Sequence, residues 1–312
     1  MLKTGIHSLR DLKSGKKDCT FFRKELKNAS ISLYEAACAE KNADSLTQRI
    51  LLLFSDRRGA YKRTYAKRFN LFDKKVYEIL KQKFRSMDSI KAHDVGVSDG
   101  RTSVDFFTKV YVLFPKIQFT ASDYNPTIKI LKTKRLNVAL TESNQLLEIT
   151  YSPFVFNVVK RDSYRHYPLN HVIRKIIELF LVAPLLRSYQ KGIVKAKSVF
   201  LFAPSAINLQ KKNQHFNLSQ HDVLNPFKET YTFIRAMNVL NPSYFSNDDF
   251  QKIVQHMYDG LENNGLLITG SNQEANSTVD GAVYKKNKNG FGLVWTSGKG
   301  SQIHDHLIEF TP

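Results

Sequence analysis

The chain has 312 residues, of which 42% are hydrophobic and 12% aromatic. This is enough apolar material for a full core, so the composition excludes an intrinsically disordered protein and predicts one large domain or two smaller ones. The two cysteines, Cys19 and Cys38, are too few for a disulfide framework, and we expect a reducing, cytoplasmic setting.

The formal net charge is +19, from 47 basic and 28 acidic residues. Residues 1–91 hold 22 Lys or Arg and 10 Asp or Glu, which places +12 of that excess in the first third of the chain. Such a field attracts polyanions, either nucleic acid or an anionic membrane surface, although a lysine-rich surface without any partner explains it equally well.

Hydropathy predicts neither a signal peptide nor a transmembrane segment. The basic stretch Met1 to Lys17 lacks an apolar core, and no apolar run approaches the roughly 18 residues of a spanning helix. We therefore expect a cytoplasmic protein, with peripheral contact to a membrane as an alternative.

Residues 1–89 are predicted to be a basic, helical N-terminal region, because apolar residues from Cys19 to about Phe84 recur at helical spacing. Within it, the segment Asp56–Phe69 alternates cations with aromatic residues. That mixture could clamp phosphates and stack on bases, or close over an anionic substrate group. A plain solvated loop explains it at least as well.

From residue 90 the pattern changes to short apolar strands that alternate with amphipathic helices, which predicts an α/β fold with a mostly parallel sheet over 90–312. Predicted strands are Ile90–Val97, Ile117–Ser122, Val199–Ala203, Tyr231–Met237 and Leu266–Thr269, with helices Thr102–Leu113 and Asp248–Leu261. A C-terminal antiparallel hairpin of Phe291–Thr296 and Ile303–Phe310 is expected to close the sheet.

Two insertions are predicted within that domain. Residues 137–159 alternate in the manner of a β-hairpin around Glu142–Asn144, and residues 168–195 contain an unusually apolar helix at 169–190. Its centre, Ile176–Leu186, carries one charge and has basic flanks. A core or lid helix is the favoured interpretation, and contact with an anionic membrane is the alternative.

The segment Asp94–Gly100 passes from a strand through a turn into a helix. Glycine at such a turn lets a ligand approach the backbone, and the helix start offers N–H groups and a positive dipole to a carboxylate. The segment lacks the Gly-x-Gly-x-x-Gly pattern of dinucleotide enzymes, and the chain lacks the phosphate loop of NTPases. Both classes are disfavoured.

Asp123 ends the next predicted strand, 23 residues after Gly100. A carboxylate at this place can accept hydrogen bonds from both hydroxyls of a ribose. Together with the preceding turn, it indicates a site for a nucleoside that carries an amino-acid tail.

This layout resembles class I S-adenosylmethionine-dependent methyltransferases, with a Rossmann-like sheet, over residues 90–312. The resemblance implies an S-adenosylmethionine site in which the early loop wraps the methionine part, Asp123 holds the ribose and Asp222–Val223 meets the adenine edge. The cofactor-binding residues it implies are Asp94, Gly96, Ser98, Gly100, Asp123, Tyr124, Asp222, Val223 and Arg235.

The segment Phe233–Phe245 is similar to a stretch of chemotaxis-receptor methyltransferases, and Arg235 belongs to it. There are three departures from the family patterns. Ser98 replaces the middle glycine of the usual Gly-x-Gly, Arg235 and Asn238 are separated by two residues instead of being adjacent, and the receptor-binding features of the chemotaxis enzymes cannot be located. The last two departures make methylation of receptor glutamates doubtful.

Asn238 and Tyr244 are the candidate catalytic residues. Asn241-Pro242-Ser243-Tyr244 approximates the Asn-Pro-Pro-Tyr motif of enzymes that methylate amide or adenine nitrogens, but a turn before a helix cap explains it better. His93 borders the predicted pocket and is better explained as an ordinary strand residue.

The segment His304-Asp305-His306 would place two histidines on one face of a strand, a spacing that could serve a metal. No further ligand has convincing spacing, so no metal is assigned.

The leading hypothesis is therefore an S-adenosylmethionine-dependent methyltransferase that acts on a small-molecule or lipid-like acceptor by in-line transfer. One alternative is an RNA or DNA methyltransferase that uses the basic N-terminal region. The other is a regulatory protein that binds S-adenosylmethionine without transferring its methyl group.

Overall fold

The computed structural model describes residues 2–14, 27–52, 54, 64–158, 167–272 and 278–312. The chain forms two compact units, which we call the accessory unit (Met1–Arg63 with Thr127–Pro204) and the sheet unit (Thr64–Pro126 with Ser205–Pro312). Cys19 and most of the segment Asp56–Phe69 lie outside the described residues. The predicted domain limits, 1–89 and 90–312, stay a prediction.

The strands in chain order are β1 (Lys91–Val95), β2 (Gln118–Asp123), β3 (Thr127–Lys132), β4 (Leu136–Leu140), β5 (Leu146–Tyr151), β6 (Phe154–Asn157), β7 (Lys197–Phe200), β8 (Phe216–Gln220), β9 (Tyr231–Met237), β10 (Leu261–Ser271), β11 (Asp280–Asn287) and β12 (Gly290–Ser297). The α-helices are α1 (Leu9–Lys13), α2 (Tyr34–Cys38), α3 (Ala43–Leu51), α4 (Asn70–Phe84), α5 (Arg101–Leu113), α6 (Pro168–Ile177), α7 (Ala183–Gln190), α8 (Pro204–Lys212), α9 (Asn247–Asp259) and α10 (His304–Ile308).

The sheet unit contains a seven-stranded sheet of order β8-β2-β1-β9-β10-β11-β12. The five strands from β8 to β10 are parallel, and β11 and β12 pair antiparallel. Every residue of β9 is buried, as expected for a central strand that is covered on both faces. The predicted α/β, Rossmann-like fold with a mostly parallel sheet and an antiparallel hairpin is confirmed.

Local sequence signals account for the start of helix α9 and for its packing in the sheet unit. Ser246 and Asp249 form a reciprocal capping box that starts the helix. Its apolar face, with Phe250 and Val254, packs in one buried cluster with Ile234 of β9. The predicted helix Asp248–Leu261 is confirmed, with its end two residues earlier.

The prediction that Ile303–Phe310 forms a strand is wrong. These residues contain helix α10, and Ile303 and Leu307 are both buried in the core cluster that includes α9. A four-residue spacing of buried residues is the period of a helix, not of a strand. The partner of β12 in the C-terminal hairpin is instead β11, whose lysine-containing sequence gives only a weak strand signal.

The prediction that Val199–Ala203 joins the parallel sheet is also wrong. The strand in this region is β7, which pairs antiparallel with β3 in the accessory unit. Besides β1, the strand that pairs parallel with β2 is instead β8, whose five residues include only two buried ones. A strand with so few apolar residues is hard to recognise from a hydropathy pattern.

The accessory unit contains a five-stranded antiparallel sheet of order β6-β5-β4-β3-β7. The predicted hairpin around Glu142–Asn144 is confirmed as the β4–β5 connection, where Asn144 has a left-handed φ of 64°. One buried cluster joins this sheet to α1, α2 and α3, and another joins it to α6 and α7. The sheet is therefore covered on both faces.

The apolar helix predicted at 169–190 is confirmed in extent. Helices α6 and α7 are joined without a break by a π-helical turn, Glu178–Val182, so helical structure runs from Pro168 to Gln190. Within the described ranges, no helix is both long enough and apolar enough to cross a membrane.

Candidate functional site

The candidate site lies at the carboxyl ends of the parallel strands of the sheet unit. Strand β1 has β2 on one side and β9 on the other, so the chain leaves β1 toward one half of the sheet and later enters the other half. Open α/β sheets bind ligands in the crevice at such a switch point.

The loop that follows β1 adopts a left-handed backbone at three alternate residues. The φ angles are 66° at Gly96, 62° at Ser98 and 80° at Gly100. At Gly96 a Cβ atom would also lie 2.4 Å from Val239 Cγ2, so packing as well as φ requires glycine there. Gly100 is the N-cap of α5 and has no side chain to cap it, and the Asp99 carboxylate accepts from the N–H of Arg101 at 3.2 Å. The loop therefore delivers the positive end of a helix dipole to the crevice.

Asp123, at the end of β2, is held against this loop by hydrogen bonds. Its Oδ2 atom accepts from the backbone N–H of Ser98 at 2.7 Å, and Oδ1 accepts from that of Asn125 at 3.2 Å. The N–H of Val97 donates to the carbonyl of Ser122 at 3.0 Å. The structure thus brings the predicted loop and the predicted ribose-binding carboxylate together, and a carboxylate can accept several further hydrogen bonds.

The segment around Asp222 lies beside Asp123. The N–H of His221 donates to the carbonyl of Asp123 at 3.1 Å, and the side chain of Gln220 donates to the carbonyl of Tyr124 at 3.1 Å.

Asp222 itself is engaged locally, because its Oδ1 accepts from the N–H of Leu224 at 3.1 Å, whereas Val223 is buried. Asp222, Val223 and Tyr124 therefore follow the same edge of the sheet as Asp123.

Asp94 and Arg235 are neighbours in the β1–β9 register and form a buried ion pair, with Nη1 and Oδ2 2.9 Å apart. Nη2 of Arg235 also contacts Asp73 of α4 at 3.2 Å, and Ser103 donates to Asp94 at 2.7 Å. The guanidinium lies 4.6 Å from the ring centre of Phe106. In this arrangement, the side chains of Asp94 and Arg235 are committed to a network within the sheet unit.

Burial shifts the protonation equilibria of this network. Loss of water raises the pKa of Asp73 to about 6, although the nearby Arg235 opposes the rise, and burial likewise raises the pKa of Asp94. Burial alone would lower the pKa of Arg235, but the two carboxylates more than offset it and the net direction is upward. The arginine therefore stays charged and compensates the two buried acids.

Asn238 follows β9 with a left-handed φ of 60°. Its side-chain carbonyl accepts from the N–H of Asn272 at 2.8 Å, and its amide donates to Asn272 Oδ1 at 3.2 Å. Arg68 binds the same residue through Nε to Oδ1 at 2.7 Å and through Nη2 to the backbone carbonyl at 2.8 Å. The predicted catalytic asparagine thus belongs to a cluster that joins the ends of β9 and β10.

A cleft of about 430 Å³ opens beside this cluster. Its lining combines the cations Lys67 and Arg68 with the aromatic rings of Phe69, Phe72 and Trp295. Such a lining suits a ligand with an apolar body and a negative group.

Tyr244 is 38% exposed and follows a turn. Asn241 Oδ1 accepts from both the N–H and the hydroxyl of Ser243 at 2.9 Å, and the N–H of Tyr244 donates to the carbonyl of Asn241. The side chain of Asn241 is thus used within the turn that precedes the cap of α9, as expected for a loop before a helix.

His93 is buried at the middle of β1. Its Nε2 lies 2.8 Å from the hydroxyl of Ser122, and its ring contacts His221, Phe227 and Tyr231. Burial, with a smaller contribution from His221, lowers the pKa of His93 to about 3. The ring is therefore neutral at physiological pH and packs as a strand residue.

His304 and His306 do not lie on a strand, because they belong to helix α10. Two helical positions that differ by two point to different sides of the helix. His304 is 2.9 Å from the Tyr284 hydroxyl, and the His306 ring stacks on Phe250. In the part of the chain that the structure describes, no group of three or more His, Cys, Asp or Glu side chains could hold a metal.

The sequence analysis does not identify Asp73 or Asn272, whereas Arg68 belongs to the cationic segment Asp56–Phe69 that it singles out. Asp73 carried a usable signal, since it lies on α4 next to the buried Phe72 and three residues before the buried Val76. An acid at such a position needs a buried cation. Asn272 carried no such signal, because only the pairing of distant strands brings it to Asn238.

No protein-family model and no curated protein sequence matches the chain. Among solved structures, it is similar to the N-methyltransferase NodS of Bradyrhizobium japonicum in complex with S-adenosyl-L-homocysteine, at 11% identity and a TM-score of 0.31 over 77% of this chain and 71% of that one.

The chain is also similar to the CMeT domain of the citrinin polyketide synthase, at 11% identity and a TM-score of 0.36 over 75% of this chain and 40% of that one. A third similar structure is the mitomycin 7-O-methyltransferase MmcR, at 10% identity and a TM-score of 0.30 over 78% of this chain and 43% of that one. The chain spans about half of the length of the first structures that it matches. At identities and TM-scores this low, the similarities identify neither a cofactor nor an acceptor for this chain.

Proposed function

We propose that the protein is an S-adenosylmethionine-dependent methyltransferase that acts on a small-molecule or lipid-like acceptor. One observation carries the proposal: the carboxylate of Asp123 is fixed by the N–H of Ser98, in the left-handed loop between β1 and α5, at the switch point of a Rossmann-like sheet. The Asp123 carboxylate is complementary to the hydroxyls of a ribose, and the N–H groups where the loop enters α5 are complementary to an amino-acid carboxylate.

The residues at this edge fit the cofactor chemically. Asp123 would accept hydrogen bonds from ribose hydroxyls, and the start of α5 at Gly100 would attract the methionine carboxylate. Asp222 would lie at the edge of the adenine ring, next to the buried Val223. Asp94 and Arg235 support the loop from within the sheet unit, since their side chains bind each other.

Bound S-adenosylmethionine supplies a methyl group that is already activated on a sulfonium. The residues of the chain then have to align the acceptor in line with that methyl group and exclude water. Asn238 is held by Asn272, so its backbone and amide are fixed where β9 ends. Tyr244 is partly exposed and can cover a bound acceptor.

The cleft lined by Lys67, Arg68 and Trp295 supports the acceptor class. Cations beside aromatic rings favour an acceptor with an anionic group on an apolar body over a neutral sugar or a free amine. The second candidate is a nucleic-acid methyltransferase, favoured by the +12 excess of residues 1–91. A protein that binds the cofactor without transferring the methyl group is the third.

The test combines cofactor binding with a label-transfer assay. Calorimetry with S-adenosylmethionine should show binding by the wild-type protein and at least about tenfold weaker binding by Asp123→Ala, because charge-assisted hydrogen bonds are lost. Asp88→Ala, which changes an exposed acid before β1, is the matched control and should bind as the wild type does.

To identify the acceptor class, the protein is incubated with radiolabelled S-adenosylmethionine and a whole-cell extract. The mixture is then separated into lipid, RNA, protein and small-molecule fractions, and the label in each fraction is measured. We expect label in the lipid or small-molecule fraction. Label in RNA would favour the second candidate, and binding without transfer to any fraction would favour the third. Absence of cofactor binding would overturn the proposed cofactor site.

A further inference from the structure

One face of the helical segment Pro168–Gln190 exposes large apolar side chains to solvent. We call this face the apolar stripe, and its exposed fractions are Leu169 53%, Val172 54%, Ile176 52%, Leu179 63% and Phe180 66%. These positions recur at steps of three and four residues, so they lie along one side of a helix. The opposite side is buried through Ile177, Val182 and Leu185.

The packed side accounts for the position of this segment in the accessory unit. Ile177 and Leu185 belong to a buried cluster with Leu131, Val138 and Ile149 of the five-stranded sheet. The apolar stripe is therefore not required for the core of this unit. Several adjacent large apolar side chains in water mark a surface that meets a partner or a membrane.

The solvent-exposed charges around the apolar stripe are all positive. Glu178 is the only acid in the segment; its side chain is 19% exposed and binds Arg174 and Lys175 at 3.3 and 3.1 Å. Lys175 beside the stripe, and Arg187 and Lys191 at its C-terminal end, are exposed. The stripe thus has a cationic border and no exposed acid.

We propose that the apolar stripe docks the protein on the surface of an anionic lipid bilayer, with α6 and α7 lying in the plane of the interface. An amphipathic helix with this composition buries its apolar face at the boundary between headgroups and acyl chains, while its cations contact anionic headgroups. The segment does not cross the bilayer, consistent with the finding on spanning helices above.

A second copy of this chain is a less suitable occupant. In a symmetric dimer the same patch meets itself, so two surfaces with exposed cations and no exposed acid would face each other. An anionic bilayer neutralises these charges instead. The proposal concerns a surface of the accessory unit and does not rest on methyl transfer.

Co-sedimentation of the full-length protein with vesicles, without S-adenosylmethionine, tests the docking. We expect binding to vesicles of phosphatidylcholine mixed with phosphatidylglycerol, much weaker binding to phosphatidylcholine alone, and weakening as salt rises. The variant Ile176→Ser/Leu179→Ser/Phe180→Ser should bind the anionic vesicles on the order of 100-fold more weakly, because the apolar contribution is lost.

The matched control is Val112→Ser/Ile308→Ser, which removes apolar side chains that are 75% and 45% exposed in the sheet unit. It should bind as the wild type does. The charge variant Arg187→Glu/Lys191→Glu should lose about tenfold or more in affinity for anionic vesicles, whereas Lys116→Glu/Lys211→Glu, at exposed positions of the sheet unit, should lose less.

The proposal fails if the wild-type protein does not bind anionic vesicles, or if the triple serine variant binds them as well as the wild type does. It also fails if the wild type is a dimer in solution and the triple variant a monomer, because the stripe is then covered by a second copy. Loss of cofactor binding in Asp123→Ala leaves the vesicle result unaffected, so failure of the two proposals can be distinguished.

Discussion

Arg235 and Asp94 occupy paired positions on adjacent parallel strands, and their side chains form an ion pair that is 1% to 2% exposed to solvent. Asp94 of this pair lies just before the loop that carries the proposed cofactor site. A buried charge persists only when it is compensated, and here one guanidinium serves Asp94 and Asp73. The base of the loop at Asp94 is therefore supported by Arg235, which is 141 positions away in the chain.

We predict that Arg235→Met lowers the free energy of unfolding by about 3 to 5 kcal/mol, because it leaves two buried carboxyls without a cation. Urea denaturation followed by circular dichroism measures the change. Arg85→Met, at the exposed end of α4, is the control and should change stability by less than about 0.5 kcal/mol. An equally small effect of Arg235→Met would contradict the role of the ion pair.

Ser98 provides a prediction about backbone strain. Its φ of 62° costs a residue with a Cβ atom about 1 kcal/mol, and its N–H binds Asp123 whatever the side chain is. Ser98→Gly should therefore keep cofactor binding and leave stability unchanged or higher by up to about 1 kcal/mol.

Ser98→Ala is the matched variant, because it keeps the strain and removes only the hydroxyl. If both Ser98→Gly and Ser98→Ala abolish cofactor binding, the hydroxyl is the essential group and the backbone explanation is wrong. Calorimetry with S-adenosylmethionine and urea denaturation supply the two measurements.

The loop and Asp123 could be predicted from sequence because their signals are local. A strand, a glycine turn and a helix follow one another within Lys91–Leu113, and the carboxylate ends the next strand. By contrast, the sequence marks Asp73 only as an acid on a buried helix face, without naming its partner, and does not mark Asn272 at all. Each meets its partner through the arrangement of elements, and hydropathy patterns carry no information on which strand lies beside which.

The errors have the same physical origin. Val199 lies in a β-strand, as expected, but nothing in its apolar pattern decides between a parallel sheet and an antiparallel one. Ile303 and Leu307 suit a helix by their spacing, yet the short segment also contains β-favouring residues. Tertiary packing therefore decided which sheet β7 joins and which local structure the segment 303–310 adopts.

Asn238 should be needed for methyl transfer and not for cofactor binding. Asn238→Gly permits the left-handed φ of 60° without strain while it removes the amide that binds Asn272. We expect at least a tenfold lower transfer rate, on the order of a lost positioning contact, with unchanged affinity for S-adenosylmethionine. The label-transfer assay and calorimetry measure the two quantities.

The control for Asn238 is Asn241→Gly, which removes a side chain that is used within its own turn. Its transfer rate should stay close to that of the wild type. If Asn238→Gly transfers methyl groups at the wild-type rate, the residue is structural and the candidate catalytic role is withdrawn.

Glu148 in the accessory unit is buried, and among the residues that the structure describes no cation pairs with it. Its Oε1 accepts from the N–H of Ile31 at 2.9 Å and from the hydroxyls of Ser30 and Thr150 at 3.1 and 3.2 Å. Burial raises the pKa of this carboxyl from 4.5 to about 7, although these hydrogen bonds oppose the rise. The folded protein therefore holds a proton here that the unfolded chain releases above about pH 4.5.

Because the folded pKa is the higher one, the stabilisation by this proton is complete below about pH 4.5 and is lost as the pH rises through 7. The wild type should lose about 3 kcal/mol of unfolding free energy over this range relative to Glu148→Gln, which stays neutral and keeps an acceptor for Ile31. Urea denaturation at about pH 4.5 and about pH 8 measures the difference. Glu142→Gln, in the exposed β4–β5 turn, should keep the pH dependence of the wild type. If Glu148→Gln keeps it too, Glu148 is not the group that titrates.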